Sequence, residues 1–113
     1  MFHPKNKKMH THKIIHQNET GNVALCEKCE HIHLEIGTFL AVMPITQFKL
    51  IVKDFKQRNK IPFHYLCSEN KPDQMVIQTT KNTFITLDEN EFESTFELLD
   101  RANHHLEIFE LLK

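Results

Sequence analysis

The alternation of apolar and polar positions divides this chain into strands and helices. Val23 to Cys26 reads as a strand that leads into a turn. Ile32, Leu34 and Ile36 then alternate with His31, His33 and Glu35, the period-two signature of a half-buried strand. Gly37-Thr38 turns the chain, and residues 39–43 predict a second apolar strand. Pro44 suits the first turn of a helix. Phe48, Ile51, Val52 and Phe55 recur at helical spacing, with Lys49, Lys53, Lys56 and Arg58 left to face water. Asn59 and Pro62 end that helix.

The second half repeats the pattern. Phe63, Tyr65 and Cys67 alternate, so Phe63 to Cys67 is expected as a strand, followed by a loop from Ser68 to Pro72. Met75 to Thr79 and Thr83 to Leu87 predict two more strands around a Lys81-Asn82 turn. Asp88, three residues before Glu91, is an acceptable helix cap with an acidic first turn behind it. Phe92, Phe96, Leu99, Ala102, Leu106 and Phe109 mark a long helix, with Asn103-His104-His105 as the place where it would bend or split. A shift of 44 residues lays Met43 on Leu87, Phe48 on Phe92, Val52 on Phe96 and Phe55 on Leu99. The expected fold is therefore α+β: an antiparallel sheet of about five strands with two helices on one face, and a candidate pseudo-repeat of strand-strand-helix halves.

Residues 1–21 lack apolar periodicity, apart from one short strand near Lys13 to His16. They are expected to form a basic, histidine-rich flexible tail ahead of a single domain over residues 22–113. Lys5, Lys7, Lys8 and Lys13 carry the front of the chain. Asp88 to Glu110 holds eight acidic residues against Arg101 alone, which reads as a solvated helix face. The net charge of −1 favours no nucleic-acid partner, and no apolar run is long enough to span a membrane or to act as a signal peptide. A cytoplasmic location is the expectation. Three cysteines, an odd number, argue against a disulfide scaffold.

The candidate chemistry centres on Cys26-Glu27-Lys28-Cys29, followed at once by His31 and His33. A Cys-x-x-Cys turn can present two sulfurs to one ion, and a closed zinc site needs four ligands. Three sources are open for the rest: His31 and His33 on one strand face; His64 and Cys67, a second pair with the same gap; and His10, His12 and His16 in the tail. If Phe63 to Cys67 is a continuous strand, His64 and Cys67 point to opposite faces, and both bind only if the chain turns. The plainer reading makes the cysteines small, partly buried residues, puts the histidines on a wet face and places Cys67 in the core. Redox catalysis is disfavoured. The residues after Cys29 read as a strand rather than a helix start, and Glu27 and Glu30 oppose thiolate formation. His3, His10, His12 and His16 form a loose cluster suited to adventitious metal.

Only Gly21 and Gly37 are glycines, so no glycine-rich phosphate loop exists. Hydrolase and metalloprotease motifs are also missing. Cys26-x-x-Cys29-x-x-Ile32-His33-Leu34-x-x-Gly37 with a Phe48 helix, then Ile77-x-Thr79-x-x-Asn82-x-x-Ile85-x-Leu87 leading to Glu91 and Leu98-Leu99, resembles a family of small Cys-x-x-Cys proteins of Bacteroidota whose function is unknown. The resemblance covers roughly residues 22–100 and implies no activity, ligand or catalytic residue. The sequence thus points to a small non-enzymatic domain with a candidate structural zinc among Cys26, Cys29, His31, His33, His64 and Cys67. The alternatives are a thiol redox or metal-handling protein and a homodimeric interaction module.

Overall fold

The computed structural model describes residues 12–112. Four strands form an antiparallel meander: β1 (His12–Gln17), β2 (Gly21–Cys26), β3 (His31–Ile36) and β4 (Phe39–Pro44). Helix α1 (Ile45–Arg58) follows. A separate antiparallel hairpin, β5 (Met75–Thr80) and β6 (Thr83–Leu87), leads into α2 (Glu89–Leu111). The order strand-strand-helix thus occurs twice, with elements starting at residues 31, 39 and 45 and again at 75, 83 and 89.

The alternation read in β3 is realised. Ile32 and Leu34 are buried, while His31 and His33 are half-exposed on the other face. Register carries this across the sheet: Leu25 opposes Ile32, and Val23 opposes Leu34. These side chains, with Met43, form the inner face. Against it pack Phe48, Ile51, Val52 and Phe55 of α1 and Phe92, Leu98, Leu99, Ala102 and Leu106 of α2. Phe55 and Phe92 stack with ring centroids 5.4 Å apart where the helices meet. Burying a residue the size of Leu or Phe contributes about 1.5–3 kcal/mol, so this cluster is the main source of stability.

Several expectations are corrected. The strands do not form one five-stranded sheet; they divide into sheets of four and two. Phe63 to Cys67 is not a strand. Phe63–Tyr65 is a 3₁₀ turn, closed by Tyr65 N–H donating to Pro62 O and Leu66 N–H to Phe63 O. Its alternation misled because Phe63, 6.1 Å from the Phe92 ring, packs inward together with the out-of-phase Leu66, whereas Tyr65 is 72% exposed. Helix α2 is unbroken through Asn103-His104-His105. Asn103 is buried on the inward stripe, and its Nδ2 donates to Glu107 Oε2 one turn on (3.4 Å), so its amide does not compete for the helix backbone. Asp88 does cap α2: its carboxylate accepts from Glu91 N–H, and the Glu91 carboxylate accepts from Asp88 N–H, both at 2.8 Å.

The stretch read as a tail contains β1, the edge of the sheet. A bulge between Ile14 and His16 turns Ile15 toward the core and exposes its carbonyl to His105 Nδ1–H of α2, 2.7 Å away. Beyond β1, Asn18 Nδ2 donates to Ser94 O (3.0 Å) and to Glu97 Oε1 (2.6 Å), and the Thr20 and Ser94 hydroxyls hydrogen-bond. The β1–β2 hairpin is thereby tied to α2 by polar contacts. His3, His10, Lys5, Lys7 and Lys8 lie outside the described residues.

Candidate metal centre

The β2–β3 hairpin ends in the thiol turn. Cys26 closes β2 and is fully buried, while Cys29 is half-exposed. Glu30 N–H donates to Cys26 O (2.9 Å), which wraps residues 26–30 into one tight loop. Glu30 itself holds φ 56°, the left-handed conformation that glycine usually supplies. Its carbonyl accepts from Ile45 N–H (3.3 Å), a helix-start donor that Pro44 leaves without a side-chain cap. The loop is thus braced against the start of α1.

The two sulfurs touch. The Cys29 thiol donates to Cys26 Sγ at 2.7 Å, with both cysteines free. Burial pushes the Cys26 thiol up. The hydrogen bond from Cys29, backbone donors at Cys29 and Lys28 and the Lys28 charge outweigh it and hold Cys26 below the ordinary thiol value. Cys29 is raised, first by donating to Cys26, then by burial and by the negative charge on Cys26. The two shifts run in opposite directions, so the buried sulfur is the more acidic of the pair.

Strand register brings imidazoles to the same patch. Cys26 lies opposite His12 of β1 and opposite His31 of β3, forming one cross-strand row on the outer face. Ala24, one outer-face position along β2, lies opposite Ile14 and His33. The His12 and His33 rings meet across β2 with centroids 4.0 Å apart. His31 Nδ1–H donates to Cys29 O (2.8 Å), which orients its ring over the thiol turn. Burial first, then the positive charges of His12 and His31, lower the His33 pKa and favour its neutral ring.

Of the residues singled out from sequence, the fold brings Cys26, Cys29, His31 and His33 into one neighbourhood. His64 and Cys67 belong to another. The Cys67 thiol donates to Phe63 O (3.4 Å) and is raised by burial and by Asp73 and Glu89, which places it at the N-terminal end of α2. His64 borders an open depression of 680 Å³ at that same end, beside Asp73, Asp88 and Glu89. The thiol turn lies at the other end of α2. Glu30 borders a depression with Lys49 and Glu110, and Lys49 Nζ pairs with Glu110 Oε1 at 2.8 Å. At 1.5 Å per residue, Glu89 and Glu110 are about 30 Å apart, so the two pairs cannot share an ion. The chain does turn at His64 and Cys67, but away from Cys26.

The residue under-weighted in the sequence is His12, which reads there as one of several tail histidines. Its place opposite Cys26 depends on the β1–β2 register, which a two-residue pattern in a short polar strand does not specify. Among the described residues, no three His, Cys, Asp or Glu side chains are gathered closely enough, as placed, to hold a metal ion. Sulfurs bound to one zinc lie about 3.8 Å apart, from Zn–S bonds of about 2.3 Å in a tetrahedron. Ligation therefore requires the 2.7 Å contact to open by rotation about the two Cα–Cβ bonds. Among the described residues no helix is long and apolar enough to cross a membrane. The chain matches no family model, no curated protein and no solved structure, so the site is read from its own geometry.

Proposed function

We propose that this chain is a small non-enzymatic domain in which the Cys26–Cys29 turn holds a zinc ion as a structural staple. One observation carries the reading: a fully buried cysteine held below the ordinary thiol value, paired with its neighbour at a braced hairpin tip and flanked by imidazoles of adjacent strands. Thiolate is the form that binds metal, and a buried sulfur is poorly placed to attack an outside disulfide. The left-handed Glu30 lets the chain reverse immediately after the second sulfur, which a two-thiol knuckle requires. A small core gains from such a staple. Free thiols suit a reducing compartment, which favours a cytoplasmic location. The matching element starts at 31, 39, 45 and 75, 83, 89 support a duplicated strand-strand-helix unit, with the thiol turn added to the first copy alone.

The 2.7 Å sulfur contact favours a second reading, a reversible dithiol. In it, Cys26 and Cys29 lose two protons and two electrons to a small disulfide, which leaves as two thiols while an S–S bond forms in the protein. Zinc content separates the two. Untagged protein and the variant Cys26→Ser/Cys29→Ser are compared by plasma mass spectrometry and thermal unfolding. Zinc in the parent, absent from the variant along with part of its thermal stability, is the expected result. Equal metal content and stability in both would end the zinc reading.

A further inference from the structure

We infer that the metal-free pair exchanges with a small disulfide in a fixed order, with Cys29 as the entry thiol and Cys26 as the resolving thiol. This rests on the dithiol reading above and adds the order of attack. Exposure sets the first step. Cys29 is half-exposed at the hairpin tip, whereas Cys26 is fully buried at the end of β2. A reagent in water meets Cys29 Sγ first, and access is one of the factors that govern exchange rates. Proximity sets the second step. Cys26 Sγ lies 2.7 Å from Cys29 Sγ, and a disulfide bond is about 2.05 Å long, so side-chain rotation has only about 0.7 Å to close. The backbone keeps the two sulfurs together: Glu30 N–H donates to Cys26 O (2.9 Å) and His31 Nδ1–H to Cys29 O (2.8 Å).

The steps balance. Cys29 Sγ loses its proton and attacks one sulfur of the outside disulfide; that S–S bond breaks, and the first thiolate leaves and takes up a proton. Cys26 Sγ then loses its proton and attacks Cys29 Sγ from the buried side. The Cys26–Cys29 bond forms, the mixed disulfide breaks, and the second thiolate leaves toward water with a proton. Two protons and two electrons pass from the protein to the small disulfide. Cys29 is flanked by the exposed side chains of Glu27, Lys28 and Glu30, which favours a slim, low-molecular-weight disulfide over one held in a folded protein. Cys67 takes no part, since its thiol donates to Phe63 O at the other end of α2.

The test uses full-length, untagged protein, reduced, stripped of metal and carrying Cys67→Ser so that only the pair reacts. The probe is oxidised glutathione. Samples taken over time are alkylated with N-ethylmaleimide, and intact mass reads bound glutathione and remaining thiols. Circular dichroism checks that each variant is folded. This parent is expected to lose both thiols and to retain no glutathione. Cys26→Ala, chosen because a serine hydroxyl would be buried there, should hold glutathione on Cys29 as a lasting mixed disulfide. If Cys26→Ala does not fold, Cys26→Ser sets the same trap. Cys29→Ser should react at least about 10-fold more slowly, since Cys26 is closed to the reagent. A folded Cys29→Ser protein that takes up glutathione as fast as the Cys26 variant would overturn the order, while loss of both thiols in the parent would leave the dithiol reading intact. A parent that keeps both thiols free would remove both.

Discussion

Gly21 opens the strand that ends in Cys26, and replacing it with alanine tests how far the site depends on β2 register. A Cβ built at Gly21 falls 1.8 Å from the Glu35 carbonyl oxygen, 2.8 Å from its carbon and 3.0 Å from Ile36 Cα. All three are backbone atoms of β3, so no rotamer change relieves the clash; the strands must separate or slip. Overpacking typically costs about 1–3 kcal/mol, and a contact this short against rigid backbone belongs at or above the top of that range. For a chain of this size, about 3 kcal/mol lowers Tm by roughly 12 °C. Gly37→Ala is the matched control. Nothing lies within 4 Å of its Cβ, but φ is +59°, so the cost is conformational, about 1 kcal/mol, or roughly 4 °C. Urea unfolding of the two variants beside the parent gives the comparison. Gly21→Ala should also lose metal affinity, because a slipped β2 no longer places Cys26 opposite His12 and His31. A Gly21→Ala protein no less stable than Gly37→Ala would refute the close approach and the register argument built on it.

Asp88→Ala removes one half of the α2 capping box and should cost about 1 kcal/mol by denaturant unfolding; no change would mean that the cap is not formed in solution. Phe48→Ala empties a fully buried position between α1 and the sheet, with an expected loss of about 3–5 kcal/mol, and a loss below about 1 kcal/mol would contradict its burial. Glu97 is held below the usual carboxylate value by the Asn18 hydrogen bond first, then by His16 and Arg101. His16 Nε2 stands 3.4 Å from Glu97 Oε2, near enough for an ion pair but not aligned as a hydrogen bond. Because the folded-state value is depressed, this contribution is complete above the unfolded carboxylate value of 4.5 and is lost as pH falls through the folded one. Glu97→Gln should therefore flatten the Tm–pH curve on the acid side of pH 4.5 and change it little in shape at neutral pH; parallel curves would refute the coupling.

Periodicity made most of the fold legible. Buried strands and amphipathic helices leave unambiguous patterns, and β3, α1 and the start of α2 formed where those patterns placed them. Two features were not legible. The three residues Phe63, Tyr65 and Cys67 are too few to separate a strand from a 3₁₀ turn, and Pro62 decides in favour of the turn. The division into two sheets depends on which strand edges meet, and that is a tertiary property. Sequence proximity set Cys26, Cys29, His31 and His33 side by side, and the fold keeps them in one neighbourhood. It could not show that His64 and Cys67 lie apart from them, because that separation is set by the length of α2, nor that His12 lies opposite Cys26, because that pairing is set by strand register.

Zinc content of protein purified without oxygen or added metal, followed by chelator titration under thermal unfolding, tests the central claim most directly. The account predicts about one zinc per chain and a fall in Tm on its removal. Saturating zinc at 1,000 times its dissociation constant is worth about 4 kcal/mol. Metal-free protein whose Tm responds neither to zinc nor to chelator would contradict it.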